Sequence, residues 1–160
     1  MVNIISDTGL LHFPVSLFFM PIPVYEYRIV VDVSEIDENN HVNNVCFVRW
    51  MQEAAIAHSA ANGWPSGRYG ELGLAWVARR HSVEYLRPAL EGDHITVQTW
   101  VSAWKNVSSV RKYRFVRDSD AAVLAVAETN WAFVNTSTGR PTKIPAIVGD
   151  SFIIPESPPE

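Results

Sequence analysis

Residues 44–62, NVCFVRWMQEAAIAHSAAN, contain neither proline nor glycine and carry alanine at 54, 55, 57, 60 and 61. That combination predicts a helix of roughly 19 residues, about 28 Å long. Its apolar positions, among them Val45, Cys46, Phe47, Val48, Trp50, Met51 and Ile56, spread well beyond one narrow stripe. A helix of this kind is expected to be buried on most sides, and small alanines let a sheet approach it closely. The flanking segments therefore have to supply a surface that wraps it.

They do so with strand patterns. Ahead of the helix, residues 25–33 alternate large apolar with polar side chains and are rich in Val and Ile, as in a strand. Beyond it comes a breaker-rich stretch, GWPSGRYGELG at 63–73, and then strand-like segments near 74–86, 94–104, 109–117 and 122–134, with a short last one near 143–148. Turn chemistry separates them: Pro88 with Glu91-Gly92-Asp93, Lys105-Asn106, Asp118-Ser119-Asp120, and NTSTGRP at 135–141. The expected fold class is α+β, a curled antiparallel sheet of five or six strands around one long central helix. No internal repeat interrupts this pattern.

A chain of 160 residues fits one domain, expected over 23–150. Its formal charge of −4, with 13 scattered basic residues, gives no footprint for nucleic acid. The lone Cys46 cannot form an internal disulfide, which fits a reducing compartment, and the cytoplasm is expected. Beside His41 it invites a nucleophile reading, but a lone cysteine in an apolar helix is ordinarily a small core residue. His58, His81 and His94 lie on different elements without ligand spacing, so neither a metal nor a cofactor is expected.

The N-terminal stretch GLLHFPVSLFFMPIPV has no basic residue before Arg28 and is interrupted by Pro14, Pro21 and Pro23. It suits neither a signal peptide nor a membrane span, so residues 1–22 are expected to pack on the domain or on a partner. Met20 is an alternative natural start. The proline-rich end, 151–160, reads as a mobile tail.

The junction between first strand and helix reads DENNHVNN, residues 37–44. Asn43 suits a helix N-cap. Capping does not explain why Asp37, Asn39 and His41 alternate ahead of it. This string, followed by hydrophobic-x-aromatic through Phe47, an aromatic at Trp50 and an acid at Glu53, resembles the hot-dog fold acyl thioesterases of the 4-hydroxybenzoyl-CoA thioesterase-like superfamily. The motif is closest to that of the fatty acyl-ACP thioesterases. YLRPALEGD at 85–93 and VNTSTGRPTKIP at 134–145 support the likeness, which covers roughly 24–148.

The resemblance implies hydrolysis of an acyl-CoA or acyl-ACP. Asp37 matches the family's catalytic carboxylate, acting as nucleophile or as general base. Asn39 and His41 match the polar partners of the acyl-ACP group. The backbone N–H of Asn44 falls where the family polarises the thioester carbonyl, and Phe47 falls in the substrate region. Glu53 either faces the site or faces solvent. Arg79-Arg80, Arg111-Lys112 and Arg140-Lys143 can meet coenzyme A phosphates or simply line a solvated sheet face. The acyl-ACP enzymes carry two tandem halves and this chain has room for one, so a homodimer or homotetramer is expected.

Two rivals share much of this pattern. Hot-dog hydratases place histidine five positions after aspartate in a D-x-N-P-x-H-like string, whereas His41 follows Asp37 by four and Asn40 replaces the proline. A non-catalytic acyl-thioester binding domain is the other, usually accompanied by a reporting module.

Overall fold

In a computed structural model, residues 20–160 are described. The expectation placed on the N-terminal extension lies outside the described residues up to position 19. Its last residues are fixed: the Ile22 N–H donates to Asn62 Oδ1 at 2.8 Å, and the Ile22 carbonyl meets His58 Nε2 at 2.7 Å.

Strand β1 (Tyr25–Val30) leads through a short 3-10 turn, Val33–Glu35, to helix α1 (Asn44–Ala61). A six-residue helix α2 (Ser66–Glu71) follows, inside the stretch expected to be only a breaker region. Four strands come next: β2 (Leu74–Tyr85), β3 (His94–Trp104), β4 (Ser108–Arg117) and β5 (Val123–Asn135). They form one antiparallel sheet of five strands in the order β1-β3-β4-β5-β2, so β2 is an edge although it is second in sequence.

The expected last strand near 143–148 is not formed. Pro141 makes a single bridge to Val134, Ile144 N donates to Asn106, and Pro145 caps helix α3 (Ala146–Gly149) instead. Two prolines without N–H groups cannot continue a ladder, and proline at a helix start costs nothing.

Helix α1 buries Phe47, Trp50, Met51, Ala54, Ala55 and His58, the i, i+3, i+4 face, against Ile95, Val97, Tyr113 and Phe115 of the sheet. Here the structure corrects the expectation of burial on most sides. Val45 is 72% exposed and Ile56 is 45% exposed, because within one chain the sheet covers only one side of the helix. A second cluster of Trp64, Tyr69, Val101, Phe133, Val148 and Phe152 fills the end beyond the helix. Phe152 thus anchors the start of the segment read as a mobile tail, and Trp64 Nε1 donates to Ser151 Oγ at 2.9 Å.

Candidate active site

The DENNHVNN string closes as a tight turn. Ile36 and Val42 bridge antiparallel, Asp37 N donates to the His41 carbonyl at 2.8 Å, and Asn40 N donates to the Asp37 carbonyl at 3.0 Å. The half-buried Asp37 carboxylate accepts from Asn39 N at 2.8 Å, an Asx turn. Asn40 sits at φ 61°, a backbone that asparagine tolerates better than most residues. The side chains of Asn39 and His41 are exposed and make no hydrogen bond among the described residues. Val42 N donates to the Ala89 carbonyl and Asn43 N to the Glu35 carbonyl, pinning the turn on both flanks.

Helix α1 starts directly behind this turn. Asn43 is its N-cap, as expected, with Oδ1 accepting from Val45 N at 3.0 Å, while Cys46 N donates to the Asn43 carbonyl. Among the described residues nothing accepts from the Asn44 N–H. It is therefore a free donor at the positive end of an 18-residue helix. Tyr85, at the far end of β2, donates from its hydroxyl to the Asn44 carbonyl at 3.2 Å and packs edge-on against Phe47.

Glu35 locks turn to helix, a role the sequence reading missed. Its buried carboxylate pairs with Arg49, accepts from Trp50 Nε1 at 3.3 Å, and accepts from Asp32 N at 2.9 Å. Glu53 shares the Arg49 partner: it accepts from the Tyr27 hydroxyl at 3.3 Å and stands 3.6 Å from Arg49 Nε. Burial, then the Glu53 charge, raises the Tyr27 hydroxyl. Cys46 is half-buried, and burial likewise pushes its thiol up, away from thiolate character.

The arginines divide. Arg79 is exposed at a bulge between Ala78 and Arg80, and Arg140 and Lys143 are exposed too. Arg111 is only 6% exposed, which corrects the solvated-face reading. Alternation on β4 puts it in phase with the buried Tyr113 and Phe115, so it points inward while Lys112 points out. It lines a cavity of about 320 Å³ walled by Ala55, Tyr69, Trp76, Trp104 and Trp131. Neither Asp37 nor Asn44 lines that cavity. Among the described residues, no three His, Cys, Asp or Glu side chains gather as metal ligands, and no helix is long and apolar enough to cross a membrane.

One long helix laid into a five-stranded antiparallel sheet is the hot-dog arrangement. The chain belongs to the thioesterase-like superfamily, whose family model matches residues 31–152. Among curated proteins it is 22% identical over 142 residues to oleoyl-acyl carrier protein thioesterase 1, chloroplastic, of Arabidopsis thaliana, covering 84% of this chain and 39% of that one. It is 28% identical over 142 residues to dodecanoyl-[acyl-carrier-protein] hydrolase, chloroplastic, of Cinnamomum camphora, covering 81% and 37%. It thus spans well under half the length of these relatives.

Solved structures share the fold. A 1,4-dihydroxy-2-naphthoyl-CoA thioesterase from Synechocystis superposes with a TM-score of 0.74 at 17% identity, covering 80% of this chain and 94% of that one. A 12:0-ACP thioesterase from Umbellularia californica gives 0.74 at 23% identity, covering 86% and 53%.

Proposed function

We propose that this protein hydrolyses an acyl thioester, acyl-CoA or acyl-ACP, to free acid and thiol. The observation that carries the reading is the unclaimed Asn44 N–H at the start of α1, directly behind the turn that holds Asp37. Thioester hydrolysis builds negative charge on the carbonyl oxygen. A preorganised amide at a helix N-terminus stabilises that charge, and losing one such donor typically costs about 3–4 kcal/mol of activation energy. Asp37 attacks the carbonyl or activates the water that does. The leaving thiol has a pKa of about 8.5, that of a free cysteine, so its thiolate departs without a strong general acid. One carboxylate and one oxyanion donor are then nearly sufficient, with no serine or cysteine nucleophile.

In this reading Asn39 and His41, exposed on the same turn and without a side-chain hydrogen bond among the described residues, orient the water or the Asp37 carboxylate. Phe47 and Tyr85 form the apolar flank of the thioester, and the exposed Arg79 is a phosphate contact for coenzyme A. Glu53, held by Tyr27 and Arg49, acts at most on the helix rather than on substrate. The working unit is a homodimer joined through the β2 edge. That assignment is supported by the edge position of β2 and by the exposed Val45, Ile56, Val77 and Tyr85 on the α1 and β2 faces beside it.

A panel of acyl-CoA and acyl-ACP substrates of graded length, monitored for free thiol and for double-bond absorbance, tests the reaction class. Thiol release with no change in double-bond absorbance is expected. Double-bond changes without thiol indicate hydration, and binding without either indicates a non-catalytic domain.

A further inference from the structure

The cavity beside α1 holds a charge that the proposed hydrolysis does not use. Arg111 is buried, and among the described residues no carboxylate stands within ion-pair distance of it. Its acceptors are both neutral: Nη1 meets His58 Nδ1 at 2.7 Å and donates to Thr99 Oγ1 at 3.2 Å. Burial, and next the Arg111 charge itself, hold His58 down at about 4, so the imidazole brings no compensating proton change near neutrality. Its other nitrogen donates to the Ile22 carbonyl at 2.7 Å, with Asn62 Nδ2 alongside at 3.0 Å. The remaining guanidinium N–H groups have no acceptor among the described residues, and the residue faces the cavity.

A buried guanidinium without a counter-ion is costly, and arginine does not shed its proton to escape the cost. The rest of the wall is mainly apolar and aromatic, with Gln52, Ser59, Ser66, Ser109 and Thr136 as its neutral polar members; no acidic residue among the described ones lines it, and Trp104 Nε1 in the same wall is buried without an acceptor among them. A hydrocarbon that ends in an anion satisfies both parts of such a site. We infer that this cavity binds the far end of the acyl group, and that the preferred acyl group ends in a carboxylate held by Arg111. The thioester end of this inference rests on the hydrolase reading. The carboxylate end rests on the cavity alone.

Placement along the seam between α1 and β2 sets the reach. Asn44 meets Tyr85 at one end of β2, and Gln52, Ile56 and Ser59 meet Leu74 and Trp76 around the cavity at the other. From Asn44 to Gln52 the helix rises about 12 Å. An extended chain advances about 1.2 Å per bond, so a carboxylate on the order of ten bonds from the thioester carbon enters the cavity.

The test pairs decanoyl- and dodecanoyl-CoA with their ω-carboxy counterparts, using the full chain and Arg111→Met, and compares free dodecanedioate with dodecanoate for their effect on Tm. A charge-assisted bidentate contact predicts a kcat/KM about ten- to a hundred-fold higher for the ω-carboxy thioesters, lost in Arg111→Met. Dodecanedioate raises the wild-type Tm more than dodecanoate does, a readout that survives if the variant fails to fold. Hydrolysis of the plain thioesters with no ω-carboxy advantage overturns the subsite and leaves the hydrolase reading standing. Preferential stabilisation by dodecanedioate without any thiol release supports the subsite and overturns hydrolysis. Equal stabilisation by the two free acids overturns the subsite.

Discussion

Asn43 holds the first turn of α1 through one side-chain oxygen, and Asn40 bends the chain at φ 61° three residues earlier. The cap was legible in the sequence, because asparagine's affinity for its own backbone is a local property; the bend at Asn40 was not singled out. Asn43→Ala is expected to cost about 1 kcal/mol. At this chain length that lowers Tm by about 2–4 °C in a calorimetric scan. The solvated-face alternative for Arg111 fails for the opposite reason. Its environment depends on which sheet face it occupies, yet its two-residue spacing from Tyr113 and Phe115 carried the signal.

His58 gives the residue-scale pH prediction. Its folded value, about 4, lies below the ordinary 6.5, so the unfolded chain takes up a proton first as pH falls. The stability tied to neutral His58 is therefore complete above pH 6.5 and lost on descent through pH 4. The full difference is on the order of 3 kcal/mol. His58→Gln should flatten the decline of Tm with pH in that window relative to wild type. An identical slope in both proteins removes His58 as the cause.

Among the elements, α1 was the most legible: a proline- and glycine-free run with a cap at its head gives a structure of Asn44–Ala61. The four long strands were legible by alternation and by turn residues at their ends. Strand order was not, since β2 lies beside β5, far along the chain, through contacts that no local pattern records. The last strand failed because its prolines remove the donors a ladder needs. Burial around α1 was overread, because an apolar periphery does not say which partner covers it. The alanines matter as predicted for a close helix–sheet approach: Ala54 is fully buried. Ala54→Leu should overpack that contact and cost about 1–3 kcal/mol, read as a lower midpoint in urea unfolding with an unchanged slope.

For the whole molecule, the turn at 37–41, the free amide of Asn44 and the edge strand β2 belong to one proposal. The turn and the cap were visible as a motif. The cavity was not, because it is assembled from α1, α2, β2, β3, β4 and β5 at once. Sedimentation equilibrium should return twice the chain mass, and a concentration-independent single-chain mass removes the dimer assignment. Chelators should leave activity unchanged. The central claim rests on Asp37, and the direct measurement is thiol release by Asp37→Asn beside wild type, with circular dichroism and Tm recorded on both. The expected result is native folding with activity lowered by about 10²–10⁴-fold. Wild-type rates in a folded Asp37→Asn protein contradict the account.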